Sequence, residues 1–130
     1  MSSADRPGPA DHVLLAAGTA AYDWHDFEAL DKIPGALRDV VETLTGLGFS
    51  AVAQSPGYVV DPTVDDLWAA VEGAAAAAPV VVVYYTGHGA HLERDTYYLV
   101  TKQSRPASLR RTGLAARDLL ALLSRRGRTA

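Results

Sequence analysis

Two short polar stretches of this 130-residue chain hold the side chains able to do chemistry. The first is Thr86-Gly87-His88-Gly89-Ala90-His91, in which an imidazole stands between two glycines. An unperturbed histidine titrates at about pH 6.5, so His88 can take up and return a proton near neutrality. The flanking glycines let a substrate approach and expose the Gly89 amide toward a developing oxyanion. The second stretch, Ala20 to Lys32, gathers Tyr22, Asp23, Trp24, His25, Asp26 and Glu28. A metal centre on His88 and His91 would have to borrow a third ligand from His25 or an acid, because three-residue spacing outside a helix gives no common face. A phosphate-binding glycine loop fails, since the position for its third glycine is Leu92 and no helix is expected to open there. There is no cysteine, which excludes disulfides, thiolate metal ligands and a cysteine nucleophile within these residues.

These stretches need a scaffold, and the apolar pattern supplies one. Pro79 to Gly89 reads PVVVVYYTGHG, a β-branched and aromatic run without charge, expected as a strand buried on both faces of a parallel sheet. His12 to Ala17, closed by Gly18, predicts a buried first strand, and the loop at 18–28 follows its carboxyl end. Pro34 suits the first turn of a helix whose inner stripe is Leu37, Val40, Val41, Leu44 and Leu47, stopped by Gly46 and Gly48. Phe49 to Ala53 predicts a second strand and Gln54 to Pro62 a loop. Thr63-Val64-Asp65-Asp66 is a capping start for a helix over 64–78, with Leu67, Val71 and the alanines at 74, 75 and 78 inward. Tyr97 to Thr101 predicts a short extra strand or hairpin arm, and Leu114, Ala115, Leu119, Leu122 and Leu123 a last helix over 113–126 that ends at Gly127.

Alternating strands and helices specify an α/β fold with a doubly wound, mostly parallel sheet and right-handed crossovers. With the first strand between the second and the 79–86 strand, the loop at 18–28 faces the turn at 86–91 at the switch point, where such sheets place ligands. A further parallel strand is expected beside the 79–86 strand, which otherwise keeps a bare edge. The sheet is therefore expected to be incomplete at the carboxyl end, with the next strand supplied by further residues, a processed fragment or a partner chain.

Composition narrows the class. A chain of 130 residues with 48% hydrophobic content supports one core, expected over residues 12–130 behind a flexible lead-in at 1–11. A net charge of -3 argues against nucleic-acid partners, and no apolar run is long enough for a membrane span. The start has no secretory pattern, so a cytoplasmic location is expected. Seven arginines crowd residues 105–130, and the plain reading is an arginine-faced surface helix.

The hydrophobic strand leading into Tyr84-Tyr85-Thr86-Gly87-His88-Gly89, with a first strand running into Gly18-Thr19-Ala20-Ala21-Tyr22-Asp23, resembles the caspase and metacaspase superfamily of cysteine peptidases, in its bacterial caspase-like branch. The resemblance spans about residues 12–127. It implies a caspase-hemoglobinase fold, with His88 as catalytic histidine and the Gly89 amide as an oxyanion donor. In that family the nucleophilic cysteine follows the next strand, the element expected beyond this chain. The chain alone is therefore expected to be inactive, and Ser104 and Thr86 lack the sharp elbow of a replacement nucleophile. Asp23, Trp24 and His25 are candidates to line the pocket for the substrate residue before the cleaved bond, where an acid favours a basic side chain. Calcium serves some metacaspases, yet Asp61, Asp65 and Asp66 read as acids at a helix start, and no ligand set follows. The expected partners are a peptide or protein substrate and the cysteine-bearing remainder of the peptidase; the competing expectation is a non-catalytic caspase-fold module that regulates or scaffolds.

Overall fold

The computed structural model describes residues 11–93 and 96–124. The lead-in expected at 1–11, apart from Asp11, and the helix end expected at Gly127 lie outside those residues. The central strand is β1, His12–Gly18. Its odd and even side chains serve opposite faces, as a pleated strand requires. Val13, Leu15 and Ala17 pack with α2 (Val64–Ala77) and α4 (Ala116–Ser124) on one face. Leu14 and Ala16 pack with α1 (Ile33–Gly46) on the other. Helices on both faces leave no polar side to β1, which explains its continuous apolar run.

All pairings of this first sheet are parallel. On one edge of β1 lies β4, Val80–Thr86, paired over seven residues from His12 with Val80 to Gly18 with Thr86. On the other edge lie β2, Ser50–Ala51, and β3, Val59–Val60. The strand expected at Phe49–Ala53 is thus only two residues long, and the loop expected at Gln54–Pro62 contains a second short strand. Gln54, Ser55, Pro56 and Gly57 account for the interruption, because proline cannot donate to a ladder and the others favour turns. Both pieces still flank β1, so the predicted strand order holds.

The ends of the helices follow from local chemistry. Proline stands in the first turn of α1, and Gly48 at φ +103° turns the chain just after it. Thr63 Oγ1 accepts the Asp66 amide at 2.9 Å, and Asp65 and Asp66 lie in the first turn of α2, as expected. Leu67, Val71, Ala74, Ala75 and Ala78 are buried, so the alanines serve close approach of helix to sheet. Leu47 departs from the predicted stripe. It stands just past the last turn of α1 and is 71% exposed.

The remainder forms a three-stranded antiparallel sheet from β5 (Gly89–Glu93), β6 (Thr96–Leu99) and β7 (Leu114–Ala115). The hairpin arm foreseen at Tyr97–Thr101 therefore starts one residue earlier and has a partner on each side. The helix foreseen over 113–126 begins instead as β7 and is helical only from α4 onward, with a separate short helix α3, Leu109–Thr112, before it; residues 125 and 126 lie outside the described residues. Leu114 and Ala115 are buried as expected, but as strand residues paired with Leu99 and Tyr98.

β4 corrects one expectation and agrees with another. It was expected to be buried on both faces, yet Val80 is 41% exposed and Val81 to Thr86 are only half-buried. The cause is its position: among the described residues β4 pairs with β1 alone, so its second edge is open. A charge-free valine run on an open edge is what soluble proteins ordinarily cover.

Candidate functional site

The carboxyl ends of β1 and β4 are tied together by the Thr19 amide, which donates to Thr86 O at 3.0 Å. From there the chain after β1 forms a closed loop, its mouth joined by Leu30 N–H to Ala20 O at 2.8 Å. Asp61, at φ +56°, holds the start of this loop, its Oδ1 accepting the Ala20 and Ala21 amides at 2.8 and 3.1 Å. Aspartate tolerates the left-handed conformation because its short side chain bonds locally. Asp61 was expected to be a helix-start acid; it is a loop clamp. Farther along, the Asp23 amide donates to Lys102 O at 2.8 Å, which joins the loop to the segment after β6.

His88 stands against this loop. Its ring lies 4.8 Å from that of Tyr22 and 5.8 Å from that of Phe27, centroid to centroid. Its amide donates to Tyr22 Oη at 2.9 Å and its carbonyl accepts the Val100 amide at 3.1 Å. Nε2 lies 2.8 Å from Glu28 O. A carbonyl can only accept, so this contact places the ring proton on Nε2 and leaves the lone pair on Nδ1. Among the described residues Nδ1 has no partner. His88 is thus held at its amide, its carbonyl and Nε2, and its ring is open at the atom that would accept a proton.

Gly89 is set by the neighbouring hairpin. It faces Leu99 in the ladder, while Val100 N–H bonds to His88 O. That register makes Gly89 a non-hydrogen-bonded position whose amide points away from β6. A Cβ at Gly89 would run into the Tyr97 phenol, so a larger residue here would have to displace that exposed ring. An amide with no ladder partner, one residue from an open imidazole nitrogen, is the arrangement an oxyanion would need.

Asp23, Trp24 and His25 share the loop with Tyr22, Phe27 and Glu28, but none of the three makes a hydrogen bond or ring contact with His88. Trp24 donates Nε1–H to Asp26 Oδ2 at 3.2 Å and lies under the Arg105 guanidinium at 5.3 Å. His25 is exposed, stacked on Trp24 at 4.9 Å and 3.3 Å from Asp26 Oδ1. The Asp23 side chain is exposed and makes no ion pair among the described residues. Ser104 is buried, accepting the Thr101 amide and donating to Thr112 O. Its hydroxyl serves that loop and offers no nucleophile. No group of three metal-ligating side chains occurs among the described residues.

No protein-family model and no curated relative matches the chain. The site therefore has to be read from its own geometry.

Several of its parts carry no signal in the residue types. Glu28 contributes a main-chain carbonyl, which any residue supplies. Tyr85, read from sequence as a core strand residue, donates its hydroxyl to Val100 O at 2.9 Å and accepts that of Thr19. A tyrosine inside a valine strand was the available hint, since a buried phenol needs a partner.

Burial raises the pKa of Tyr85 far above the ordinary tyrosine value, against a smaller lowering by the Thr19 hydroxyl. Burial also raises that of Tyr22, opposed by the His88 amide and reinforced by the Asp61 charge. A raised folded-state pKa contributes stability that is fully present below the unfolded tyrosine value of about 10 and is lost as pH rises through the folded value. The melting temperature should therefore fall above pH about 10, and more gently in Tyr85→Phe. Parallel declines in the two proteins would show that the buried phenol is not responsible.

Proposed function

We propose that this chain is the histidine-bearing part of a caspase-like cysteine endopeptidase. The carrying observation is the state of His88: Nε2 engaged by the Glu28 carbonyl and, among the described residues, Nδ1 without a partner and the Gly89 amide pointing away from its ladder. In this reading Nδ1 takes the proton of a thiol brought to it, and the thiolate attacks the peptide carbonyl. The Gly89 amide donates to the oxyanion of the tetrahedral intermediate. His88, now protonated, returns the proton to the leaving amine, and water completes hydrolysis of the thioester with His88 as base.

The thiol has to come from outside these residues, since the chain has no cysteine. The open edge of β4 supports that requirement, because a parallel strand added there would end next to the His88 turn. A sheet completed in that way would match the caspase-hemoglobinase fold of the family that the Tyr84 to Gly89 motif resembles, and a cytoplasmic peptide or protein would be the substrate. The exposed carboxylate of Asp23 supports a basic residue before the cleaved bond, with Trp24 and His25 beside it. No calcium ligands can be assigned.

The second reading is a non-catalytic module of the same fold that regulates or scaffolds through the β4 edge. The uncovered edge of β4, paired with β1 alone among the described residues, is the observation that favours it. Mixing this chain with a cysteine-bearing fragment of the same polypeptide separates the two readings. The peptidase reading expects no peptide hydrolysis from the chain alone, hydrolysis from the mixture, and its loss on alkylating the thiol. A mixture that assembles but stays inert to every peptide offered would leave the scaffold reading.

A further inference from the structure

Three polar atoms of His88 are engaged, and one of the engaging groups is a side-chain hydroxyl with two duties. Tyr22 Oη accepts the His88 amide at 2.9 Å and donates to Thr19 O at 2.9 Å. Thr19 follows β1 and His88 follows β4, so one phenol bridges the ends of the two central strands. Its ring forms the wall nearest the imidazole, at 4.8 Å. The space for it is left by Gly87, where a Cβ would stand 2.8 Å from the Tyr22 hydroxyl. A phenol is already neutral through the physiological range and burial raises its pKa further, so its donor and acceptor roles do not change there.

The Val100 amide holds the carbonyl side of His88 through the hairpin, and on the amide side the Tyr22 hydroxyl is its partner. Gly87 and Gly89 give the backbone freedom on both sides, and rotation of the main chain at His88 would swing the ring off the Glu28 carbonyl. We infer that Tyr22 is the positioning residue of this site: its hydroxyl pins the His88 main chain so that Nε2 meets Glu28 O and Nδ1 stays open. The importance of this role for catalysis rests on the peptidase reading, but the geometry can be tested without any turnover.

In protein labelled with 15N-histidine, His88 should show one neutral tautomer, protonated on Nε2, with its signals assigned by comparison with His88→Gln. Tyr22→Phe keeps the aromatic wall and removes the hydroxyl. The His88 amide should then exchange with solvent about tenfold faster, and the Nε2-protonated form should lose its dominance. Tyr85→Phe is the control: it removes a hydroxyl from the same network that does not touch His88, and it should leave the tautomer unchanged. The assignment is overturned if Tyr22→Phe leaves amide exchange and tautomer as they were, or if the two variants disturb the ring equally. Thiol reconstitution reports separately on the peptidase reading, so failure of one test is not failure of the other.

Discussion

Under the proposed peptidase reading, replacing His88 by alanine should lower peptide cleavage by the mixture with the cysteine-bearing fragment about 10⁴-fold, with the fold retained. The size follows from the two tasks given to one ring. A thiol near its ordinary pKa is mostly protonated at neutral pH, so loss of the base removes most of the attacking species. Loss of the same group as acid also leaves the departing amine without a proton. The structural cost is small because the half-buried ring gives up one hydrogen bond, to Glu28 O, worth about 1 kcal/mol. Turnover measured beside a melting curve separates the two effects: near-normal melting with near-normal turnover would remove His88 from the mechanism.

The largest loss of stability is expected from Leu14→Ala. Leu14 is fully buried in β1, between the sheet and α1, in the cluster with Ala16, Ile33 and Leu37. Shortening it removes apolar contact and leaves a cavity in a layer held by strands on both sides, at a cost of about 3 kcal/mol. Domains of this size have only about 5–15 kcal/mol in total, so chemical denaturation should shift its midpoint strongly. Leu47→Ala is the comparison, since that side chain is 71% exposed and its loss should change stability by less than about 0.5 kcal/mol. Equal shifts in the two variants would mean that the α1 layer is not packed as described.

Much of the framework was legible because it rests on near-neighbour patterns. The runs at His12–Gly18 and Val80–Thr86 are too apolar for a strand with one wet face, and both are strands of the parallel sheet. Pro34 and Thr63 marked helix starts by the amides they lack or cap. The failures lie where partners at long sequence distance decide. A pair of residues such as Ser50–Ala51 becomes a strand only because β1 offers it a ladder, and Leu114–Ala115 leaves the helical pattern because β6 needs a neighbour. Exposure of the valines in β4 depends on whether a strand covers its second edge, which no local pattern reports.

At the site the division is similar. By itself the sequence determined an α/β chain with a glycine-flanked imidazole at the end of its most apolar strand, opposite a polar loop after its first. Residue type is enough for that, because valine runs, glycines and histidine each carry their physics with them. Only the tertiary structure decided which atom of His88 is open, since Glu28 acts through its carbonyl, Tyr22 through a hydroxyl 66 residues away, and Asp61 through two amides of the loop. Those bonds depend on where the backbone passes, and its path is set by the packing of the whole sheet.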